Sequence, residues 1–245
     1  MNFNPEFQKG RLLRRYKRFF ADIEVDRDGE VETIVAHCPN TGSMRNCLVI
    51  GSECWFSASN NPKRKLKFTL EAVTSEYGGM AGVNTARANA LVWEALESKR
   101  IAELAEYAHI QKEVRFGEQN SRLDFRLSTE GAEPDCLLEV KSVTLGMGDG
   151  LGMFPDAVTA RGRKHLEELM LAVQQGHRAV LLFCVQHTHI ERLEPAWERD
   201  PEYCKTLGEA MDAGIEVLAY KAVVTPQCFK VERRIPFDLA RPSGS

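Results

Sequence analysis

Ser121-Arg122-Leu123-Asp124-Phe125 and Cys136-Leu137-Leu138-Glu139-Val140-Lys141 are the two stretches on which the reading of this chain turns. Both have the length and apolar content of buried strands, yet each carries charge. Alternation along a strand puts Glu139 and Lys141 on one face and Val140 on the other. Burial penalises an ionised group without a partner, so these charges need an explanation. A divalent cation held by Asp124 and Glu139 is one, because hard cations take carboxylate and carbonyl oxygens and keep several waters. Lys141 would then orient such a water or help to deprotonate it. An ion pair of Glu139 with Lys141, with Asp124 at a strand end, is the other. These residues by themselves leave both open.

The surrounding chain supplies the elements. Residues 178–186 are almost continuously apolar, as in a central strand buried on both faces. Ala88, Leu91, Val92, Ala95 and Leu96 recur at helical spacing and predict a helix over 88–98, with Glu94 off its apolar stripe. Strands are expected at 113–116, 122–127 and 136–142. The loop carrying Gly146, Gly148, Gly150 and Gly152 reads either as a flap over substrate or as a flexible connection. Asp156 is the expected cap of a helix that runs to Gln175 and is stopped by Gly176. Arg161 and His165 share one flank of that helix, beside its apolar stripe. Arg161 reads equally as a phosphate contact or as a salt bridge to Glu168 or Asp156, and His165 reads more readily as a satisfied or solvated histidine. A helix at about 201–213 and a strand over 215–223 complete this half.

The front of the chain differs. Short strands at 19–25, 31–38, 53–58 and 66–73, with an Asp28-Gly29 turn, predict a small antiparallel barrel. The net charge of the whole chain is −3, but residues 1–70 hold 12 Lys/Arg against 8 Asp/Glu, and the remainder 20 against 27. The basic residues gather as Arg11, Arg14, Arg15, Lys17 and Arg18, and again as Lys63, Arg64, Lys65 and Lys67, interleaved with Tyr16, Phe19, Phe20 and Phe68. Such clusters suit a phosphate backbone whose bases stack on the rings; they equally suit a solvated face with the rings in the core. Between strands, Asn40, Thr41 and Ser43 offer hydroxyls and backbone N–H groups to an anion, although a tight turn explains them too. The glycines of residues 77–82 mark a boundary. The expected organisation is a barrel domain over 1–80, a second domain over 81–240 and a disordered tail over 241–245.

Composition narrows the class. With 43% hydrophobic and 27% charged residues, no apolar run near membrane length and no leader-like start, a cytoplasmic protein is expected. Seven cysteines without a CxxC pair suit reduced thiols, and His37, Cys38, Cys47 and Cys54 match no common zinc spacing. Walker, dinucleotide and Ser-His-Asp patterns are absent.

The order helix, strand, strand, strand, helix, strand, with Asp124 on the second strand and Glu139-Val140-Lys141 on the third, resembles the core of the PD-(D/E)xK nucleases over roughly residues 88–186. Leu123 stands where that motif has its proline. Residues 37–44, Ser121–Phe125 and Phe154-Pro155-Asp156-Ala157-Val158-Thr159-Ala160-Arg161-Gly162 together are similar to the sugar fermentation stimulation protein family of bacteria and archaea. The resemblance implies an α+β or α/β architecture, a barrel of OB type before a nuclease-like mixed sheet flanked by helices. It also implies non-specific DNA binding, with RNA as a variant, and a role in regulating sugar utilisation. On the nuclease pattern, Asp124, Glu139 and the Val140 carbonyl would hold Mg²⁺ or Mn²⁺, with Lys141 and Arg161 completing a catalytic set. Arg14, Arg15, Lys17, Arg18, Asn40, Thr41, Ser43, Lys63, Arg64 and Lys65 would carry nucleic acid. The alternative is a DNA-binding regulator that does not cut.

Overall fold

Residues 1–116 and 121–240 are described by the computed structural model of this chain. The tail expected at 241–245 lies outside the described residues. Six strands come first: β1 (Gln8–Tyr16), β2 (Phe20–Arg27), β3 (Glu30–His37), β4 (Glu53–Ala58), β5 (Phe68–Thr74) and β6 (Met80–Gly82). They pair in the order β3-β2-β1-β4-β5-β6, and a short parallel pairing of β3 with β5 closes a barrel. Leu12, Ile23, Ile34, Phe56 and Leu70 fill it.

β1 was not foreseen. Its sequence is dominated by exposed basic side chains, and Leu12 is its one buried position. The strand forms because Gly10 lets its backbone close on β2: a Cβ there would meet Ile23 at 2.5 Å and the Glu24 carbonyl at 2.8 Å. The first basic cluster is therefore the outer face of a strand and the turn that follows it.

The second half continues with α1 (Ala86–Glu97), β7 (His109–Phe116), β8 (Ser121–Thr129), β9 (Ala132–Val143), β10 (Leu145–Gly146), β11 (Leu151–Phe154), α2 (Ala160–Gln174), β12 (Arg178–Val185), β13 (Arg192–Pro195), α3 (Pro201–Asp212), β14 (Glu216–Val224) and β15 (Phe229–Arg234). Six of these strands form a mixed sheet, β15-β14-β12-β9-β8-β7. β9, β12 and β14 are parallel neighbours, and the outer pairings are antiparallel.

β12 shows why its sequence is apolar throughout. Val180, Leu182 and Cys184 pack in the core that contains α1, while Ala179, Leu181, Phe183 and Val185 pack in the core of α2 and α3. Burying a strand on two faces leaves no room for alternation.

Four expectations change. The glycine loop is not a free connection: β10 and β11 form a hairpin within it, and β11 pairs with β13. Asp156 does not cap α2. Thr159 does, accepting from the Gly162 N–H, while Asp156 accepts from the Ser43 hydroxyl and the Met44 N–H of the barrel. β15 went unread because its outward positions are charged. The first seven residues, assigned with the barrel, pack on the second half instead: Phe3 and Phe7 sit against Phe229. Among the described residues no helix is long and apolar enough to cross a membrane.

Candidate metal and nucleic acid site

Sheet register explains where the charges go. Glu139 pairs with Leu181 and Lys141 with Phe183, so both lie on the face covered by α2, and Val140 lies on the other with Leu182. On the other side of β9, pairing with β8 runs as far as Phe125 and Leu138. Beyond that point the Asp124 carboxylate takes the place of the ladder: its Oδ2 accepts from the Val140 N–H at 2.8 Å. Its Oδ1 accepts from Asn89 of α1 at 2.7 Å.

Glu139 is 2% exposed and unevenly served. Lys141 Nζ lies 2.6 Å from its Oε1, and His165 Nδ1 contacts that same oxygen. Its Oε2 is buried with no hydrogen-bond partner. Burial by itself would raise this carboxyl, but the His165 hydrogen bond and the Lys141 charge hold it below the usual carboxylate range. Asp124 is pushed the opposite way, by burial and by the negative charge of Glu139, against its bonds to Val140 and Asn89. Two neighbouring carboxylates with opposed shifts and one bare oxygen form a place where a cation would relieve the local charge.

α2 supplies the other wall. His165 is 7% exposed and bridges outward, because Arg161 Nε donates to its Nε2 at 3.3 Å. With Nε2 accepting, Nδ1 carries the proton that reaches Glu139. The geometry thus brings together Asp124, Glu139, Val140, Lys141, Arg161 and His165. Arg161 bonds neither Glu168 nor Asp156. Glu94 is elsewhere, paired with the N-terminal amine at 2.6 Å.

Asn89 escaped the sequence reading. The available signal was its type: asparagine competes with backbone hydrogen bonding inside a helix, so a mid-helix Asn invites a tertiary explanation.

The front half meets this region across a cleft of about 510 Å³, lined by Arg15, Arg18, Thr41 to Ser43 and Phe154 to Thr159. Thr159 begins the helix that carries Arg161 and His165. The residues singled out as contacts for nucleic acid divide here. Arg18, Thr41 and Ser43 line the cleft, with Lys17 beside Arg18. Arg15 is spent on main-chain carbonyls: its Nη2 donates to Asn40 and Gly42 at 2.8 and 3.0 Å and ties the 40–42 loop to the hairpin turn. Asn40 is buried, its Oδ1 accepting from the Gly42 N–H, and Arg14 is paired with Asp22 at 2.6 Å.

Lys63, Arg64 and Lys65 lie apart from the cleft. Their loop runs into Phe68, which pairs with Ala36 of β3, and Arg64 donates to the Thr69 hydroxyl at 2.9 Å. Of the four interleaved rings, Tyr16 and Phe20 stack on each other, Phe68 packs edge-on against Phe56, and Phe19 alone is strongly exposed.

His187 and His189 are neighbours in a second cavity of about 430 Å³ under the β10–β11 hairpin. Burial pulls His187 down to about 4, so it is neutral. Its ring nitrogens are engaged by Ser75 and by the His189 N–H.

Residues 86–228 match the family model of the sugar fermentation stimulation protein RE domain, and residues 13–83 that of the SfsA N-terminal OB domain. The chain belongs to the SfsA family. It is 53% identical to the sugar fermentation stimulation protein homolog of Shewanella loihica over 98% of this chain and 100% of that one. The homolog from Shewanella piezotolerans is 52% identical over the same shares. In fold, the SfsA structure from Pyrococcus furiosus in complex with Ca²⁺ superposes with a TM-score of 0.83, at 24% identity, covering 97% of this chain and 98% of that one.

Proposed function

We propose that this SfsA family member binds nucleic acid, DNA in the first instance, in the cleft between barrel and mixed sheet, and hydrolyses its phosphodiester backbone with Mg²⁺ or Mn²⁺. The observation that carries the reading is the unpartnered Oε2 of buried Glu139, with Lys141 on the other oxygen of that carboxylate and Asp124 bonded to the Val140 N–H, under the helix whose cap Thr159 lines a cleft edged by Arg15 and Arg18. Asp124, the free Glu139 Oε2 and the Val140 carbonyl are the oxygens that would hold the ion. That donor set suits a hard cation that keeps part of its water shell. The P. furiosus relative, which shares the fold, binds Ca²⁺, another oxygen-seeking cation. When bound, the metal supplies positive charge beside the phosphate and acidifies a water.

The remaining work falls to this chain. Lys141, held against Glu139, presents a fixed positive charge next to the reacting phosphate. Arg161 is exposed, and with its Nε given to His165 its outer nitrogens are left to grip a phosphate oxygen. Lys17 and Arg18 supply affinity through counterion release, which makes binding fall with salt.

The test is cleavage of labelled DNA and RNA, single- and double-stranded, in Mg²⁺ or Mn²⁺, by the wild type, Asp124→Ala and Lys141→Ala. Cleavage lost in both variants is expected. Equal background from all three ends the catalytic reading. Salt-sensitive binding without scission then leaves the DNA-binding regulator, a role in keeping with the name of the homologs.

A further inference from the structure

We infer that the cleft takes an unpaired strand of nucleic acid, one nucleotide of which stacks its base on Phe19. This rests on the nucleic-acid reading above and goes beyond it by naming the form of the ligand. Three observations carry it.

The first is the ring itself. Phe19 is 47% exposed at the tip of the β1–β2 hairpin. The other rings of that region are consumed by one another. Its backbone is anchored where it matters, since the Phe19 carbonyl accepts from the Cys38 N–H at the entrance to the 40–43 loop. An aromatic face fixed on rigid backbone and left to solvent is what base stacking needs, and every base offers a π face.

The second is charge held beside the ring. Lys17 and Arg18 adopt left-handed backbone conformations, with φ of +48° and +62°. Asn or Gly occupies such hairpin positions more easily, so two long cations there are poor turn residues. Both precede Phe19 in the turn, and Arg18 lines the cleft, so the phosphate next to a base stacked on Phe19 would meet positive charge.

The third is the size of the cleft. At about 510 Å³ it falls within the range of sites for a single small ligand, roughly 300–1,000 Å³, and suits one nucleotide rather than paired strands. The opposite wall repeats the apolar element, with Val158 71% exposed. Thr41 and Ser43 add hydroxyls between the two walls. A strand running from Phe19 past Thr159 arrives at the first turn of α2, which carries Arg161.

The experiment is fluorescence anisotropy in EDTA, so that no cleavage intervenes. The probes are a labelled 15-mer of DNA, the same sequence in RNA, and the blunt DNA duplex, with wild type, Phe19→Ala, Phe19→Trp and Arg18→Ala; thermal melting of each variant checks folding. Wild type is expected to bind the single strands at least tenfold more tightly than the duplex. Phe19→Ala should lose about tenfold on single strands alone, Phe19→Trp should retain wild-type affinity, and Arg18→Ala should lower the salt slope by about 0.7. Preference for DNA or for RNA supports the inference and names the sugar. Duplex bound as tightly as single strand, or Phe19→Ala indistinguishable from wild type on single strands, overturns this inference and leaves the nucleic-acid reading standing. Absence of binding to all three probes at low salt overturns both.

Discussion

Glu71 of the barrel and Glu139 of the mixed sheet are both strand glutamates buried to within 2% exposure, and the fold treats them in opposite ways. Every lone pair of Glu71 that matters is occupied: Oε1 accepts from Ser57 and Arg87, Oε2 from Asn84 and Arg87. Glu139 instead has two donors crowded on Oε1 and none on Oε2. A buried carboxylate finished on all sides is a structural joint, here between barrel and α1. One left unfinished on a single oxygen, next to a second acid, keeps an acceptor that no group of the chain uses, the position the proposed cation would take.

Isosteric substitution breaks the comparison most sharply. In Glu71→Gln an amide must face donors that have no alternative, and a loss of about 3 kcal/mol in urea unfolding is expected. In Glu139→Gln the loaded oxygen can remain an acceptor while the amide takes the bare position, so the loss should be only about 1 kcal/mol. Equal losses would mean that Glu139 is as structural as Glu71. Next in size is the ligand effect: Mg²⁺ at a hundredfold over its Kd should stabilise the wild type by about 2.7 kcal/mol and leave Glu139→Gln unmoved in the same melts. A Glu71→Gln protein, although weaker, should still respond.

A smaller effect should follow from His165, which touches Glu139 only at its loaded oxygen and lies 3.0 Å from Lys141 Nζ. His165→Phe should weaken divalent-ion affinity by roughly 10–100-fold, read by calorimetric titration. His165→Asn, which restores a donor near the Nδ1 position, should recover most of it. The smallest effect concerns pH. The Asp124 carboxyl is raised in the folded state, so its ionisation opposes folding: stability it lends at low pH is lost as pH rises through its folded value. Glu139 is lowered, so its contribution is present above the unfolded value and lost as pH falls through the folded one. In EDTA, Asp124→Asn should therefore raise Tm at pH 7 relative to wild type, with the gain vanishing as pH falls into the acid range. A gain that persists at low pH would remove the electrostatic explanation.

How much of this was legible beforehand depends on periodicity. α1 announced itself because its apolar positions repeat at helical spacing, and β12 because it is apolar throughout, and the order around Asp124 and Glu139 followed. β1 and β15 did not, because each buries few side chains and its charged outward positions mask the alternation. Glu71 stood in Thr69-Leu70-Glu71-Ala72-Val73 much as Glu139 stands in Leu137-Leu138-Glu139-Val140-Lys141, yet only the second drew attention. The lysine two residues on and the earlier aspartate made the difference. Asp156 was read as a helix cap from its neighbours in the chain, whereas its partners, Ser43 and Met44, lie more than a hundred residues away.

The sequence alone determined the helices and the central strands of the second half, which face of β9 carries its charges, and that a basic front precedes an acidic back. Those are local properties, written in the repeat of side chains along one segment. The tertiary structure decided which polar atoms are satisfied. Whether Glu139 has a free oxygen, whether Arg15 is spent on carbonyls, and whether Phe19 stays in solvent all depend on hydrogen bonds and packing between segments far apart in the chain, and no local pattern encodes a partner's position.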